Sequence, residues 1–190
     1  MGADCSEELR RAARRVFVSG DPYRPEFAPE TAAHTLLAPT PQSMLDRTQF
    51  HAIGQAHAAE GGGPVYVTVI PDQLDRPWRT ENRCYEIDFS NSQTYFSDDF
   101  RAYMTVENLI APLNGSWAVL IADFGYAVVA GSRAFVDAVL EGVTLDADEM
   151  ALLFMRMWKE YAEIGLPHPN LDAFLETMYG RTEAARLAAD

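Results

Sequence analysis

The chain has 190 residues, of which 28 are acidic and 15 are lysine or arginine, for a net charge of −13 at pH 7. This length can bury one sizeable hydrophobic core. Duplex binding depends on many phosphate neutralisations by Lys and Arg, so the charge excludes nucleic acid as a direct partner. No apolar run approaches the roughly 20 residues that span a bilayer, and the charged start MGADCSEELRRAARR lacks the apolar centre of a signal peptide. The sequence therefore predicts a cytoplasmic protein without membrane contact.

The N-terminal part is predicted to be helical, with a connector between two helices. An amphipathic helix is predicted over Ser6–Val18, and its solvated side carries four arginines: Arg10, Arg11, Arg14 and Arg15. A proline-rich connector, GDPYRPEFAP, covers residues 20–29. A second helix is predicted over Gln42–Glu60 and ends at three consecutive glycines. Two cysteines far apart in the chain, Cys5 and Cys84, predict free thiols in a reducing compartment.

Strand patterns begin after the glycines. Apolar residues alternate along Pro64–Ile70, which predicts a strand, and Cys84–Phe89 repeats the pattern. The aromatic segment Thr94–Tyr103 fits either a strand or a short helix capped by Ser97. Thr105–Leu113 is predicted to be a helical turn or a short helix.

The clearest signal is a central hairpin at 116–131 followed by a helix. Apolar side chains point to both faces of each strand, which is typical of a strand inside a sheet that helices cover. Gly125 supplies the turn between the strands, and Ser132 is predicted to cap the helix that ends at Gly142. We expect Trp117 and Phe135 to be buried together where this helix folds back on the strand.

The C-terminal part is predicted to be helical over Asp146–Ile164 and Asn170–Tyr179. Residues 1–5 and 181–190 are expected to fray. Strands in succession, with helices at both ends of the chain, predict an α+β fold. We therefore expect a single globular domain over residues 1–190, in which a mainly antiparallel sheet is packed by the N- and C-terminal helices.

No sequence motif identifies a catalytic residue, a cofactor or a metal. Asp123-Phe124-Gly125 spells the metal-binding tripeptide of protein kinases, but the glycine-rich loop, strand lysine and H-R-D motif that accompany it are missing. His51 and His57 are six residues apart, whereas the zinc pattern on a helix needs a spacing of four. Ser132 follows a strand, as a nucleophile elbow does, but the second glycine of that elbow is replaced by Ala134.

Acidic residues near the first strands are the predicted partner-binding surface. Trp78 lies in the polar loop that follows Ile70, and a tryptophan flanked by charges is typical of a binding hot spot. The alternative is that Trp78 packs beneath the loop as a lid on the core. The predicted binding residues are Asp72, Asp75, Trp78, Glu81, Asp98 and Asp99.

The segment WAVLIADFGYAVVAGSRAFVDAVL, residues 117–140 within the hairpin and helix at 114–142, resembles a segment common in small bacterial proteins of unknown function. Some of these proteins look like immunity proteins of polymorphic toxin systems. The matching positions are Trp117, Gly125, Gly131 and Phe135. The resemblance implies a protein that binds and masks a toxin, and the acidic charge fits a basic partner. The first hypothesis is therefore a non-enzymatic acidic binding protein. The second is a hydrolase-type enzyme with an Asp/Glu-based site, and the third is a structural subunit of a homo-oligomer.

Overall fold

The computed structural model describes residues 4–70, 84–103, 107–166 and 170–189. Within these ranges the strands are β1 (Ala33–Leu37), β2 (Val65–Val69), β3 (Cys84–Ile87), β4 (Asn108–Pro112), β5 (Trp117–Ile121) and β6 (Ala127–Gly131). They form a six-stranded sheet in the order β1-β6-β5-β4-β2-β3. All neighbouring strands are antiparallel, which confirms the predicted α+β class with an antiparallel sheet.

Helices cover both faces of this sheet. They are α1 (Asp4–Ala13), α2 (Arg47–Ala59), α3 (Ser92–Tyr95), α4 (Asp98–Tyr103), α5 (Arg133–Gly142), α6 (Ala147–Glu163), α7 (Leu171–Tyr179) and α8 (Arg181–Ala189). Alternate residues of β5 enter two separate cores: Trp117 packs with α2 and α5, whereas Leu120 packs with α1, α6 and α7. We call the two sides of the sheet the α2/α5 face and the α1/α6 face. No helix of the described residues is long and apolar enough to cross a bilayer.

Helix starts follow the local sequence. Asp46 and Gln49 form a capping box at the start of α2, and Asp146 and Glu149 form another at α6. The Ser132 hydroxyl accepts a hydrogen bond from the amide of Phe135, as its N-cap prediction requires. Each cap gives a partner to amides that the helix leaves without one.

The hairpin between β5 and β6 also has the predicted turn. Gly125 has a φ of 92°. In this conformation any residue with a side chain would be strained, whereas glycine is not. A Cβ atom there would also lie 3.1 Å from the sulfur of Met157. The predicted hairpin at 116–131 is therefore confirmed.

Several local features differ from the sequence predictions. Thr105–Leu113 is not helical, because Asn108–Pro112 is strand β4 in the middle of the sheet. The local sequence of β4 does not alternate between apolar and polar residues as a half-buried strand does. The segment is a strand because it pairs on both sides, with Ile110 opposite Val67 of β2 and Val119 of β5. Strand β1 was not predicted at all, since it borders a proline-rich region and pairs with β6 far along the chain. Helix α1 ends at Ala13 rather than at Val18.

The C-terminal tail is helical, and one cysteine is bonded. Residues Arg181–Ala189 form α8, in which Leu187 is fully buried. Cys84 is disulfide-bonded, which contradicts the predicted free thiol. Of the alternatives for Thr94–Tyr103, the helical one is correct, and Ser97 accepts a hydrogen bond from the amide of Phe100.

Candidate functional site

The candidate site lies at the end of the sheet that carries the β5–β6 turn. Asn108 is opposite both Val69 and Ile121, so the start of β4 lies beside the ends of β2 and β5. The amide of Ile70 donates to the backbone carbonyl of Glu107 over 3.1 Å. We call this end of the sheet, formed by Ile70, Glu107 and residues 122–126, the hairpin end.

A tyrosine from the N-terminal connector joins two carboxylates at the hairpin end. The hydroxyl of Tyr23 hydrogen-bonds the carboxylate of Asp123, and it lies 3.3 Å from Oε1 of Glu107. The amide of Tyr23 donates to Oδ1 of Asp21 over 2.9 Å. We call Asp21, Glu107 and Asp123 the carboxylate cluster. Glu107 is buried, whereas Asp21 and Asp123 are half-buried.

Two phenols keep their protons beside these acids. Burial raises the pKa of Tyr23 well above its usual range, and the hydrogen bond and negative charge of Asp123 raise it further, as does the charge of Glu107. Burial also raises the pKa of Tyr126, and the cluster carboxylates add to the effect. The Tyr126 hydroxyl donates to the carbonyl of Pro22 over 3.0 Å. Both tyrosines therefore act as neutral donors among acceptors, an environment that favours a cation over an anion.

An aromatic residue stands beside the cluster. Phe124, at the tip of the hairpin, is half-buried and meets Tyr23 edge to face, with ring centroids 6.0 Å apart. On its other sides it meets Trp158 at 5.5 Å and Tyr161 at 5.7 Å. The hairpin tip thus presents a carboxylate and an aromatic ring on neighbouring residues, Asp123 and Phe124.

The histidines singled out by spacing do not pair. His51 is exposed, while His57 is buried and its ring is used by the fold. The Trp117 indole N–H donates to Nδ1 of His57 over 3.2 Å, and Nε2 of His57 lies 3.0 Å from the carbonyl of Gly63. Within the described ranges, no group of three His, Cys, Asp or Glu side chains is placed to hold a metal ion.

The acidic residues predicted from the sequence to bind a partner are different ones. Asp98 and Asp99 are exposed in the first turn of α4, whose Phe100 packs against Tyr85 and Tyr95. Four selected residues lie outside the described ranges: Asp72, Asp75, Trp78 and Glu81. The structure instead brings together Tyr23, Glu107 and Asp123. Glu107 and Asp123 lie 84 and 100 positions after Tyr23 along the chain, so no local pattern could have selected the three residues together.

No protein-family model matches this chain, and no curated protein or solved structure is significantly similar to it. The resemblance of residues 117–140 to immunity proteins therefore stays a prediction. What supports a function is the chemistry of the hairpin end and the charge of the chain.

Proposed function

We propose that this protein is a non-enzymatic binding module for a basic protein, in the manner of immunity proteins that mask a toxin. The observation that supports the proposal most is the carboxylate cluster beside the half-buried ring of Phe124. A carboxylate accepts charge-assisted hydrogen bonds from arginine or lysine. An aromatic face attracts the same cations. Asp123 and Phe124 together suit a cationic side chain of a partner.

The overall charge supports the same partner class. A net charge of −13 speeds the encounter with a basic protein and discourages acidic ones. In this proposal exposed carboxylates act mainly on the association rate, and desolvated aromatic residues act on the dissociation rate. Among the predicted binding residues, Asp98 and Asp99 are exposed carboxylates. Asp72, Asp75, Trp78 and Glu81 are further proposed contacts. The segment that contains these four directly follows Ile70 of the hairpin end.

The proposed location is the cytoplasm. Disulfides are rare there, because cellular reductants keep thiols reduced. The proposal therefore requires the disulfide at Cys84 to be reduced in the cell.

The test is binding to the product of the neighbouring gene, if that gene encodes a basic, toxin-like protein. We expect a stoichiometric complex and protection of cells that express the neighbour. Asp123→Asn and Phe124→Ala should each weaken binding. Asp172 is an exposed carboxylate on α7, and the control substitution Asp172→Asn should leave binding unchanged. Trp78→Ala should weaken binding by about 2 kcal/mol or more if Trp78 is an anchor. A metabolic operon around the gene, or equal effects of Asp123→Asn and Asp172→Asn, would contradict the proposal.

The enzyme hypothesis has one observation in its favour. Glu107 and Asp123 both reach the hydroxyl of Tyr23, and a close pair of carboxylates is what glycoside hydrolysis uses. Turnover of chromogenic aryl glycosides that disappears in Asp123→Asn, but persists in Asp172→Asn, would favour the hydrolase. The homo-oligomer hypothesis is tested by light scattering, since a monomer has a mass of 21.1 kDa.

A further inference from the structure

A cavity of about 290 Å³ lies between α1 and the α1/α6 face of the sheet. Its apolar floor consists of Phe17, Ile70, Leu109 and Leu120, each 5% exposed or less. The carboxylate cluster does not belong to the described residues that line it. The cavity shares Ile70 with the hairpin end, but none of the residues that carry the site proposed above, the three carboxylates and Phe124, is among its described lining residues.

One residue that lines the cavity is both apolar and exposed. Val18 is 58% exposed, whereas the floor residues are buried, and we call Val18 the mouth of the cavity. Contiguous apolar surface that runs from solvent into a concavity is typical of a ligand site. The floor and the mouth together would accept an aliphatic body.

Two of the residues that line the cavity are cationic. Arg10 and Arg14 both line the cavity and are four positions apart, which places them on the same side of α1 and the turn after it. Arg10 already has an interaction of its own, so we assign no ligand contact to it. For the side chain of Arg14, no hydrogen bond or ion pair with another described residue is found.

The neighbouring arginines of the same run are used differently. Arg11 pairs with Glu7 over 3.3 Å on the exposed side of α1. Arg15 donates to the carbonyl of Asn114 over 3.0 Å. The run of four arginines is therefore not a uniform basic face, and Arg14 is the exposed member of the run that lines the cavity without a partner among the described residues.

We propose that this cavity binds a carboxylate that carries an aliphatic body, with Arg14 on the carboxylate and Phe17, Leu109 and Leu120 around the body. A guanidinium matches the two oxygens of a carboxylate in a planar, bidentate arrangement. The volume is close to the lower limit of roughly 300 Å³ for small-molecule pockets, which favours a short chain. A short fatty acid and the C-terminal leucine of a polypeptide share this chemistry.

The first experiment titrates the whole protein with hexanoate at low salt and follows the methyl NMR signals. We expect saturable shifts at Val18, Leu109 and Leu120. Hexylammonium has a similar chain but the opposite charge, so we expect it to bind at least about tenfold more weakly. Acetyl-Ala-Leu and its C-terminal amide form the second pair: tighter binding of the free acid than of hexanoate would identify a polypeptide end as the source. Equal binding of hexanoate and hexylammonium, or no saturable binding of either acid, would overturn the proposal.

Variants locate the site. Arg14→Gln should weaken hexanoate binding about tenfold or more, because a hydrogen bond to a charged group is lost. Arg11→Gln removes the same charge from the same helix without lining the cavity, and it should bind as the unmodified protein does. Val18→Trp changes an exposed residue and should block the mouth while the arginines stay in place. Equal losses in Arg11→Gln and Arg14→Gln would indicate diffuse charge attraction and contradict the proposal.

Discussion

The ring of Phe135 is stacked on the indole of Trp117, with the ring centroids 4.8 Å apart and the ring planes 10° from parallel. Trp117 is 0% exposed and Phe135 is 1% exposed. The stack packs the first turn of α5 against β5, so the helix folds back over the first strand of the hairpin. This confirms the pairing that the sequence predicts.

Phe135→Ala should lower the free energy of unfolding by about 3–5 kcal/mol, because it removes a buried ring and leaves a cavity. Urea denaturation measures the change. The neighbouring Ala134 is exposed, so Ala134→Ser is a matched control that should cost roughly 0.5 kcal/mol through helix propensity alone. A loss below about 1 kcal/mol for Phe135→Ala would show that the stack contributes little.

The ring of His57 should hold its neutral-form proton on Nε2. An indole N–H can only donate, so Nδ1 of His57 must accept from Trp117, and Nε2–H then donates to the carbonyl of Gly63. Nitrogen chemical shifts of labelled histidine distinguish the two tautomers. The exposed His51 serves as the internal reference, and a proton on Nδ1 of the neutral His57 ring would contradict the hydrogen bonds described here.

Tyr23→Phe should destabilise the protein more than Tyr126→Phe does. The Tyr23 hydroxyl donates to a carboxylate, whereas the Tyr126 hydroxyl donates to a neutral carbonyl. Hydrogen bonds to charged groups contribute about 1.5–3 kcal/mol and neutral ones about 0.5–1.5 kcal/mol. Denaturant unfolding of the two variants, which each lose one oxygen, gives the comparison. Equal losses would mean that the carboxylate cluster does not depend on Tyr23.

His34 should make stability depend on pH. Its ring is stacked on Phe27 at 4.0 Å, and burial lowers the pKa of the imidazole; the hydrogen bond to the Met178 carbonyl opposes this, and the charge of Arg133 lowers the pKa further. The unfolded chain then binds a proton at His34 at a higher pH than the folded chain does. Stability should therefore fall as the pH drops below the ordinary value of about 6.5, until the folded ring is also protonated.

The unfolding midpoint in urea between pH 5 and 8 measures this dependence. His34→Phe keeps an aromatic ring against Phe27 and should flatten the curve in that range. His51→Gln changes an exposed histidine and should leave the slope as it is. If the slope survives in His34→Phe, another group causes it.

Cys84 should resist alkylation until the protein is reduced, because it is disulfide-bonded. Unfolding in iodoacetamide without reductant, followed by mass spectrometry of the peptide that contains Cys84, measures the modified fraction. Complete labelling without reductant would show a free thiol. The same measurement on protein trapped with acid in living cells tests whether the bond is open in the proposed compartment.

Local sequence determined the central unit of the fold. Apolar residues on both faces of 116–131, a glycine at the turn and Ser132 before the helix are short-range signals, and each one favours the same hairpin and helix. The helices α2 and α6 were predictable for the same reason, since an amphipathic period and a capping box lie within one segment. Helix α7 has the period and a glycine, Gly180, at its end. Such features need no knowledge of the remaining chain.

Tertiary structure alone decided the features that depend on distant partners. β4 is a strand because β2 and β5 flank it, and its own residues show no period. The carboxylate cluster exists because antiparallel pairing brings Glu107 and Asp123 to one end of the sheet, where the connector adds Tyr23. Likewise the different surroundings of Arg14 and Arg11 follow from the fold: Arg14 lines the cavity, whereas Arg11 pairs with Glu7. Pairing between residues tens of positions apart depends on the whole packing energy, which no short stretch of sequence contains.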